Sequence, residues 1–344
     1  MNDSDNELST CVDEIKTDCR RYVWTVYITL GFKDFLDNNL DDCRFVYVEK
    51  KLKVIENGRD VNPDFILQYD NDRKGILGEI KSSITYNEEN LKKKLYSQIS
   101  KYCKDITGWE TDDETILDHD VLCIFHAIDV GRVIKLVSDS LDSGELIIGK
   151  NLCIAEYLET SSPKYGGGDI LLIKHEYGEL GCKDLETHLK NGLELSIDKL
   201  AHEYDKIKFT RTEPPVQYIM ELLWFNIFRI FADEPDTKEI EVTLEELLVQ
   251  LYSYYVSWSR VEGEYSQIRK SWIKEAMKTF TKIQLAEITE EVPLTYKVFI
   301  GKTGLPNNML EYIYEESCKL DLKETELKKQ EESQTKLIDF SEKS

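Results

Sequence analysis

The sequence predicts an α/β protein: a mixed sheet flanked by helices, followed by a mainly helical domain. Three observations lead there. Between residues 12 and 158, helical and strand-like periodicities follow one another as helix, three strands, helix, strand, helix, strand. After about Tyr204 the pattern turns mainly helical, with Pro214-Pro215 marking a break. The chain has 344 residues, of which 41% are hydrophobic and 32% charged, the composition of a soluble globular chain with room for two domains. The expected division is a first domain over residues 1–205, a second over 206–325, and a polar tail over 326–344.

Each element has its own signal. Val23, Tyr27 and Leu30 recur at helical spacing, as do Trp24, Ile28 and Gly31, predicting a helix over about 12–40. Residues 44–55 alternate like a strand, and Asn57-Gly58 is a strong hairpin signal. Residues 64–69 and 76–84 read as two further strands around the turn DNDRKG, so 44–84 is expected to be a three-stranded meander. The helix after it has Asn87 as cap, Glu88 and Glu89 in its first turn, and an apolar stripe through Leu91, Leu95 and Ile99. Residues 120–129 form an apolar run of buried-strand length, with a helix over GRVIKLVSDSLDSG and a strand over NLCIAEYL. Gly166-Gly167-Gly168 lacks the Lys-Ser/Thr ending of a phosphate-binding loop and reads as a turn before a strand at 169–174. Beyond the proline pair, VQYIMELLWFNIFRIF reads as one apolar helix, Thr243 and Glu246 as a capping box, 266–282 as a third helix, and the residues after it as a two-stranded ribbon. The last residues are polar enough for a disordered end or a loose helix.

Charge and cysteine content exclude several classes. A net charge of −22 argues against general affinity for nucleic acid, so any such role must rest on local basic patches. No apolar run reaches membrane-spanning length, and the acidic amino terminus lacks a secretory pattern, so no membrane partner and a cytoplasmic location are expected. Eight cysteines without a Cys-x-x-Cys pair read as reduced, partly buried thiols, and five scattered histidines show no zinc spacing.

Chemistry concentrates in residues 61–84. Side chains alternate along a strand, so Glu79 and Lys81 share a face, and an antiparallel neighbour would bring Asp64 to the same surface. Two adjacent carboxylates repel, and a divalent cation removes that conflict. Mg²⁺ takes a few carboxylate oxygens plus water and substrate phosphate, and a nearby lysine can position water and offset charge on phosphorus. The following helix carries Lys94, Gln98, Lys101 and Tyr102 on one face. Residues 91–104 hold five lysines and no acid, a basic patch in an acidic chain.

Pro63-Asp64, Glu79-x-Lys81 and Gln98-x-x-x-Tyr102 resemble the PD-(D/E)xK nuclease superfamily, with the restriction-endonuclease-like fold and the Gln-x-x-x-Tyr element of its RecB and λ-exonuclease branch. Other Glu-x-Lys triplets occur, but only this set has all three pieces in order on strand, strand and helix. The resemblance covers roughly residues 12–158 and implies Mg²⁺- or Mn²⁺-dependent phosphodiester hydrolysis. Asp64, Glu79 and the Ile80 carbonyl would bind metal, Lys81 would position water, Gln98 would orient the lysine or the substrate backbone, and Tyr102 would contact phosphate. No histidine precedes Asp64 closely, since the first in the chain is His119, which departs from the RecB pattern. Glu49, and less so Glu14, are candidates for an extra carboxylate.

Three helices and a ribbon in the second domain suggest a winged helix, whose third helix would present Lys270 and Lys274, with Lys278 and Lys282, in the major groove. The preferred reading of the same stripe is a solvated helix face opposite Ile268, Trp272, Ile273 and Met277. Tyr252, Tyr254, Tyr255 and Trp258 could stack bases or pack a core, and Cys123 and His126 read as core residues. DNA is thus the expected partner, RNA less so, in repair, recombination or defence. The alternative is a non-catalytic module on the same fold that binds nucleic acid or a protein.

Overall fold

A computed structural model of the chain describes residues 3–48, 50–71, 73–81, 88–109, 118–203, 214–232, 237–252, 265–301 and 308–341. Two units are present. The larger is built mainly of Arg21–Thr212, and the smaller of Met1–Arg20, Glu213–Ser253 and Glu262–Ser344. No helix among the described residues is long and apolar enough to cross a membrane.

The chain begins with α1 (Asp3–Asn39), whose residues beyond Arg20 belong to the larger unit. There follow β1 (Cys43–Val48), β2 (Leu52–Val54), β3 (Asp60–Val61), β4 (Phe65–Tyr69), β5 (Lys74–Lys81), α2 (Glu88–Tyr102), β6 (Ile106–Thr107), β7 (Asp118–His126), α3 (Ala127–Asp142), β8 (Leu152–Ser161), β9 (Asp169–Gly178), α4 (Lys183–Asn191), β10 (Leu193–Ser196) and α5 (Ile197–Glu203). Seven strands make one mixed sheet in the order β1-β4-β5-β7-β8-β9-β10. The three strands β5, β7 and β8 are parallel, because α2 and α3 carry the chain back between them. The flanking pairs are antiparallel.

Helices cover both faces, which is why β4 and most of β5 and β7 are buried without alternation. On one face Leu95 and Ile99 of α2 and Val133 and Val137 of α3 pack with Leu77, Val121 and Phe125. On the other, Phe32 of α1 stacks on Phe65, which also stacks on Phe45, while Trp24 stacks on His126. Gly78 makes this possible: a Cβ there would lie 2.1 Å from the Phe65 ring. The glycine run is a turn between β8 and β9, with Gly166 and Gly167 at φ of 66° and 86°.

The expected meander is corrected. Residues 44–55 do not make one strand: β1 pairs with β4, whereas β2 forms a hairpin with β3 over Asn57-Gly58 and joins β6 in a separate small sheet. The cause is the pair of lysines between two apolar stretches. Lys50 donates to the Trp109 carbonyl at 2.7 Å, and Leu52 and Val54 bury themselves with Ile106 and Trp109, away from Phe45.

The smaller unit contains α6 (Val216–Leu222), β11 (Ile240–Thr243), α7 (Leu244–Tyr252), α8 (Tyr265–Lys282), β12 (Ala286–Glu291), β13 (Leu294–Val298) and α9 (Met309–Ser341). The single helix expected from Val216 changes pitch instead, through a π turn at Leu223–Ile227 and a 3-10 turn at Phe228–Phe231. Trp224 and Phe228 both pack on Phe280 as a result. The expected ribbon is β12–β13, extended by β11 to a three-stranded sheet. The capping box is formed: Thr243 N donates to Glu246 Oε2 at 2.8 Å, and Glu246 N to Thr243 Oγ1 at 3.2 Å. The polar tail from residue 326 continues α9 to Ser341. Cys11 and Cys318 form a disulfide, which corrects the reading of all eight cysteines as thiols; the other six are free and buried.

Substituting Gly78→Ala should destabilise the larger unit by roughly 1–3 kcal/mol through overpacking against Phe65. Urea denaturation measures it, and Phe65→Leu in the same chain should return part of the loss; an unchanged midpoint in Gly78→Ala would refute the close packing.

Candidate active site

The β4–β5 ladder pairs Phe65 with Gly78, so its continuation sets Asp64 against Glu79. Asp64 lies just before β4, half-buried, and its Oδ2 accepts the Ile80 N–H at 2.5 Å. Leu77, Glu79 and Lys81 share the face of β5 that α2 covers. Glu79 is 5% exposed. One of its oxygens, Oε1, takes an ion pair from Lys81 Nζ, and the other accepts from the Tyr102 hydroxyl at 2.7 Å. Gln98 Nε2 donates to the Tyr102 oxygen at 3.2 Å, one helical turn earlier on α2. The Asn62 carbonyl lies 3.1 Å from the same hydroxyl.

The five expected residues are therefore brought together, around Glu79. Tyr102 is 3% exposed and turned inward, its hydroxyl on Glu79. It holds its place because it ends α2 over the sheet, with its own carbonyl within 2.7 Å of His119 Nε2. His119 in turn packs against Trp109. Sequence reasoning missed His119 and Asn62; the second acts through its backbone, which no side-chain pattern reveals.

Electrostatics follow from burial and proximity. Burial alone would lower the Lys81 pKa, but Glu79 and Asp64 outweigh it and hold the ammonium above its ordinary range. Burial, and then the Glu79 charge, push the Tyr102 phenol far up, so it stays a neutral donor. The thiol of Cys123, beside Glu79 on β7, is raised by burial and by the same carboxylate.

An open groove of about 740 Å³ runs beside this set. Lys93, Ser97 and Lys101 line it at i+4 spacing along α2, with Gln98, Tyr102 and Asp60. Of the described side chains in the basic patch, Lys92 pairs with Glu145 and Lys104 with Glu56, while Lys93 and Lys101 line the groove. In the smaller unit, Lys270 pairs with Glu245, Lys278 with Glu275 and Lys282 with Glu324, while Lys274 is exposed. Glu14 is exposed and belongs to the smaller unit. Glu49, Asn87, Tyr254, Tyr255 and Trp258, and the side chain of Lys94, lie outside the described residues. Cys123 is core, whereas His126 is half-buried and caps α3, its Nδ1 accepting from Ile128 N at 3.2 Å.

Among the described residues, no three or more His, Cys, Asp or Glu side chains are gathered to hold a metal ion. The oxygen set at hand is two carboxylates and a strand-end carbonyl, right in kind for a hard divalent cation that keeps water or substrate oxygens as its remaining ligands. Compared with protein-family models, with curated proteins and with solved structures, the chain matches none.

Replacing Tyr102 by Phe should cost about 1–3 kcal/mol, because it strips a buried carboxylate of one donor. Chemical denaturation reads the loss. Lys81 adds a pH signature. Its pKa is raised above the ordinary 10.5, so its stabilisation is complete below that pH and is lost as pH climbs through the raised value. The stability gap between wild type and Lys81→Met should accordingly be flat from pH 7 to about 10 and close in stronger alkali; a gap that closes at neutral pH would contradict the ion pair.

Proposed function

We propose that the larger unit is a metal-dependent nuclease that hydrolyses phosphodiester bonds, in DNA in preference to RNA. The observation that carries this is the single connected set of Asp64, Glu79, Lys81, Gln98 and Tyr102 beside a groove bearing Lys93 and Lys101. In arrangement it resembles the PD-(D/E)xK superfamily, and the mixed sheet with helices on both faces is compatible with the restriction-endonuclease-like fold.

Asp64, Glu79 and the Ile80 carbonyl are the residues that would hold Mg²⁺ or Mn²⁺, which when bound supplies Lewis acidity toward a phosphoryl oxygen and makes bound water more acidic. Lys81, kept protonated by its two carboxylate neighbours, would orient water and offset negative charge on phosphorus. Tyr102 and Gln98 act through Glu79, fixing the direction of its carboxylate. Lys93 and Lys101 would follow the substrate backbone along α2.

For the smaller unit we infer a winged helix. The order helix, strand, two helices, strand, strand supports it, with α8 as the helix that would meet DNA and Lys274 as its exposed lysine. A second reading has its own observation: both oxygens of Glu79 are engaged by Lys81 and Tyr102, and the carboxylate is nearly inaccessible. This favours a module in which the set is a structural lock and the fold binds nucleic acid or protein without cleaving.

Cleavage of linear, circular and single-stranded DNA, and of RNA, in Mg²⁺ or Mn²⁺ separates the two. The nuclease should lose about 100-fold or more of its rate in Lys81→Ala and in Asp64→Ala. Cleavage unaffected by either substitution ends the assignment, and binding without cleavage selects the module. Lys101→Ala should weaken DNA binding and reduce the slope of log affinity against log salt by about 1; a salt dependence equal to wild type would place the backbone elsewhere.

A further inference from the structure

Away from Glu79, at the opposite end of β4 from Asp64, two free cysteines from distant parts of the chain meet. Cys43 opens β1, opposite Tyr69 of β4, and Cys182 is the residue that precedes α4. One carboxylate brings them together. Asp120 Oδ2 accepts from the Tyr69 hydroxyl at 2.8 Å and from Gly181 N at 2.7 Å, while Oδ1 accepts from Asn151 Nδ2 at 2.8 Å. The approach is so close that a Cβ on Gly181 would stand 2.3 Å from the Tyr69 oxygen. Cys43 and Cys182 are both buried, and both line a small cavity of about 260 Å³ whose charged lining is Lys74, Lys183, Asp42, Asp70 and Asp184.

Of the two thiols, Cys182 is the more acidic. The Cys43 thiol donates to it, which outweighs burial, and the Leu185 N–H in the first turn of the nine-residue α4 adds to the effect, so its pKa is lowered. Cys43, as donor, is raised by that bond and by burial. The other free cysteines go the opposite way: burial pushes Cys19, Cys103 and Cys153 up to about 12, and Cys123 is raised as well.

We propose that Cys43 and Cys182 form an oxidisable dithiol, a modification site at which a hydroperoxide entering the small cavity is reduced and the two cysteines become a disulfide. The Cys182 thiolate attacks one peroxide oxygen; the S–O bond forms, the O–O bond breaks, and the departing oxygen takes a proton to leave as water or an alcohol. Cys43 gives up its proton and attacks the sulfenic sulfur. The S–S bond forms, the S–O bond breaks, and a second water leaves. Two thiols lose two electrons and one hydroperoxide gains them. The product ties the start of β1 to the start of α4.

The test uses the full-length protein with its Cys11–Cys318 bond intact. Graded hydrogen peroxide is followed by alkylation under denaturing conditions and peptide mapping. The expected result is a linked Cys43–Cys182 peptide about 2 Da lighter than its two thiol halves. It should form at least about tenfold faster than Cys103, Cys123 or Cys153 lose their alkylation, and dithiothreitol should reverse it. In Cys43→Ser, dimedone should trap a sulfenic acid at Cys182. The wild-type map needs no variant to fold, so it decides by itself: no linked peptide, or Cys182 oxidised no faster than Cys123, overturns the proposal.

Discussion

A carboxylate set in a strand that is covered on both faces has to be matched by hydrogen-bond donors and opposite charge, and Glu79 receives each from a different direction. Lys81 comes from two residues along the same strand. Tyr102 comes from the last turn of α2, and that turn is held in place by His119 from β7. Parallel pairing of β5 with β7 and the return of the chain through α2 are therefore one constraint seen at three points. If the helix end moves, the carboxylate loses its partner; if the strands slip by one residue, Glu79 turns to the face filled by Phe65 and Phe32. A buried charge of this kind selects one register among several that an apolar strand would accept.

Much of this geometry was legible because period-two alternation is a strong constraint. Glu79 and Lys81 had to share a face, and a turn over DNDRKG had to bring Asp64 back against them. Helical spacing likewise joined Gln98 to Tyr102. Direction was not legible. Whether Tyr102 looks outward or inward depends on how far α2 rolls over the sheet, which is decided by Leu95 and Ile99 against Leu77, contacts distant in sequence. The split between β1 and β2 was hidden for a similar reason, since both halves alternate and only their separate partners, Phe65 and Trp109, distinguish them. The disulfide between Cys11 and Cys318 joins opposite ends of the chain, beyond any local signal. The change of pitch after Leu222 answers to Phe280, more than fifty residues on.

The acidity of the chain also takes a different meaning in three dimensions. The chain has 66 acidic residues against 44 basic ones, and many of the described surface lysines pair with a carboxylate. Lys92, Lys104, Lys270, Lys278 and Lys282 are all matched in this way. Such exposed pairs add little stability. They do cancel local positive potential, so a lysine-rich stretch of sequence is a poor guide to a cationic surface. What survives beside the groove on α2 is narrow, with Lys93 and Lys101 as its cations.

The chain leaves the smaller unit at Arg20 and returns to it at Glu213. In the order of synthesis, all seven strands of the larger unit's sheet thus emerge while its companion exists only as a leading helical segment. The sheet can close as soon as α5 is out of the ribosome, but the first twenty residues must wait through most of translation for α6, α8 and α9, and Cys11 for Cys318. Nascent chains stalled before residue 213 would carry a finished sheet and an orphaned amino-terminal segment, exposing to chaperones and proteases the buried side chains of Val12 and Cys19.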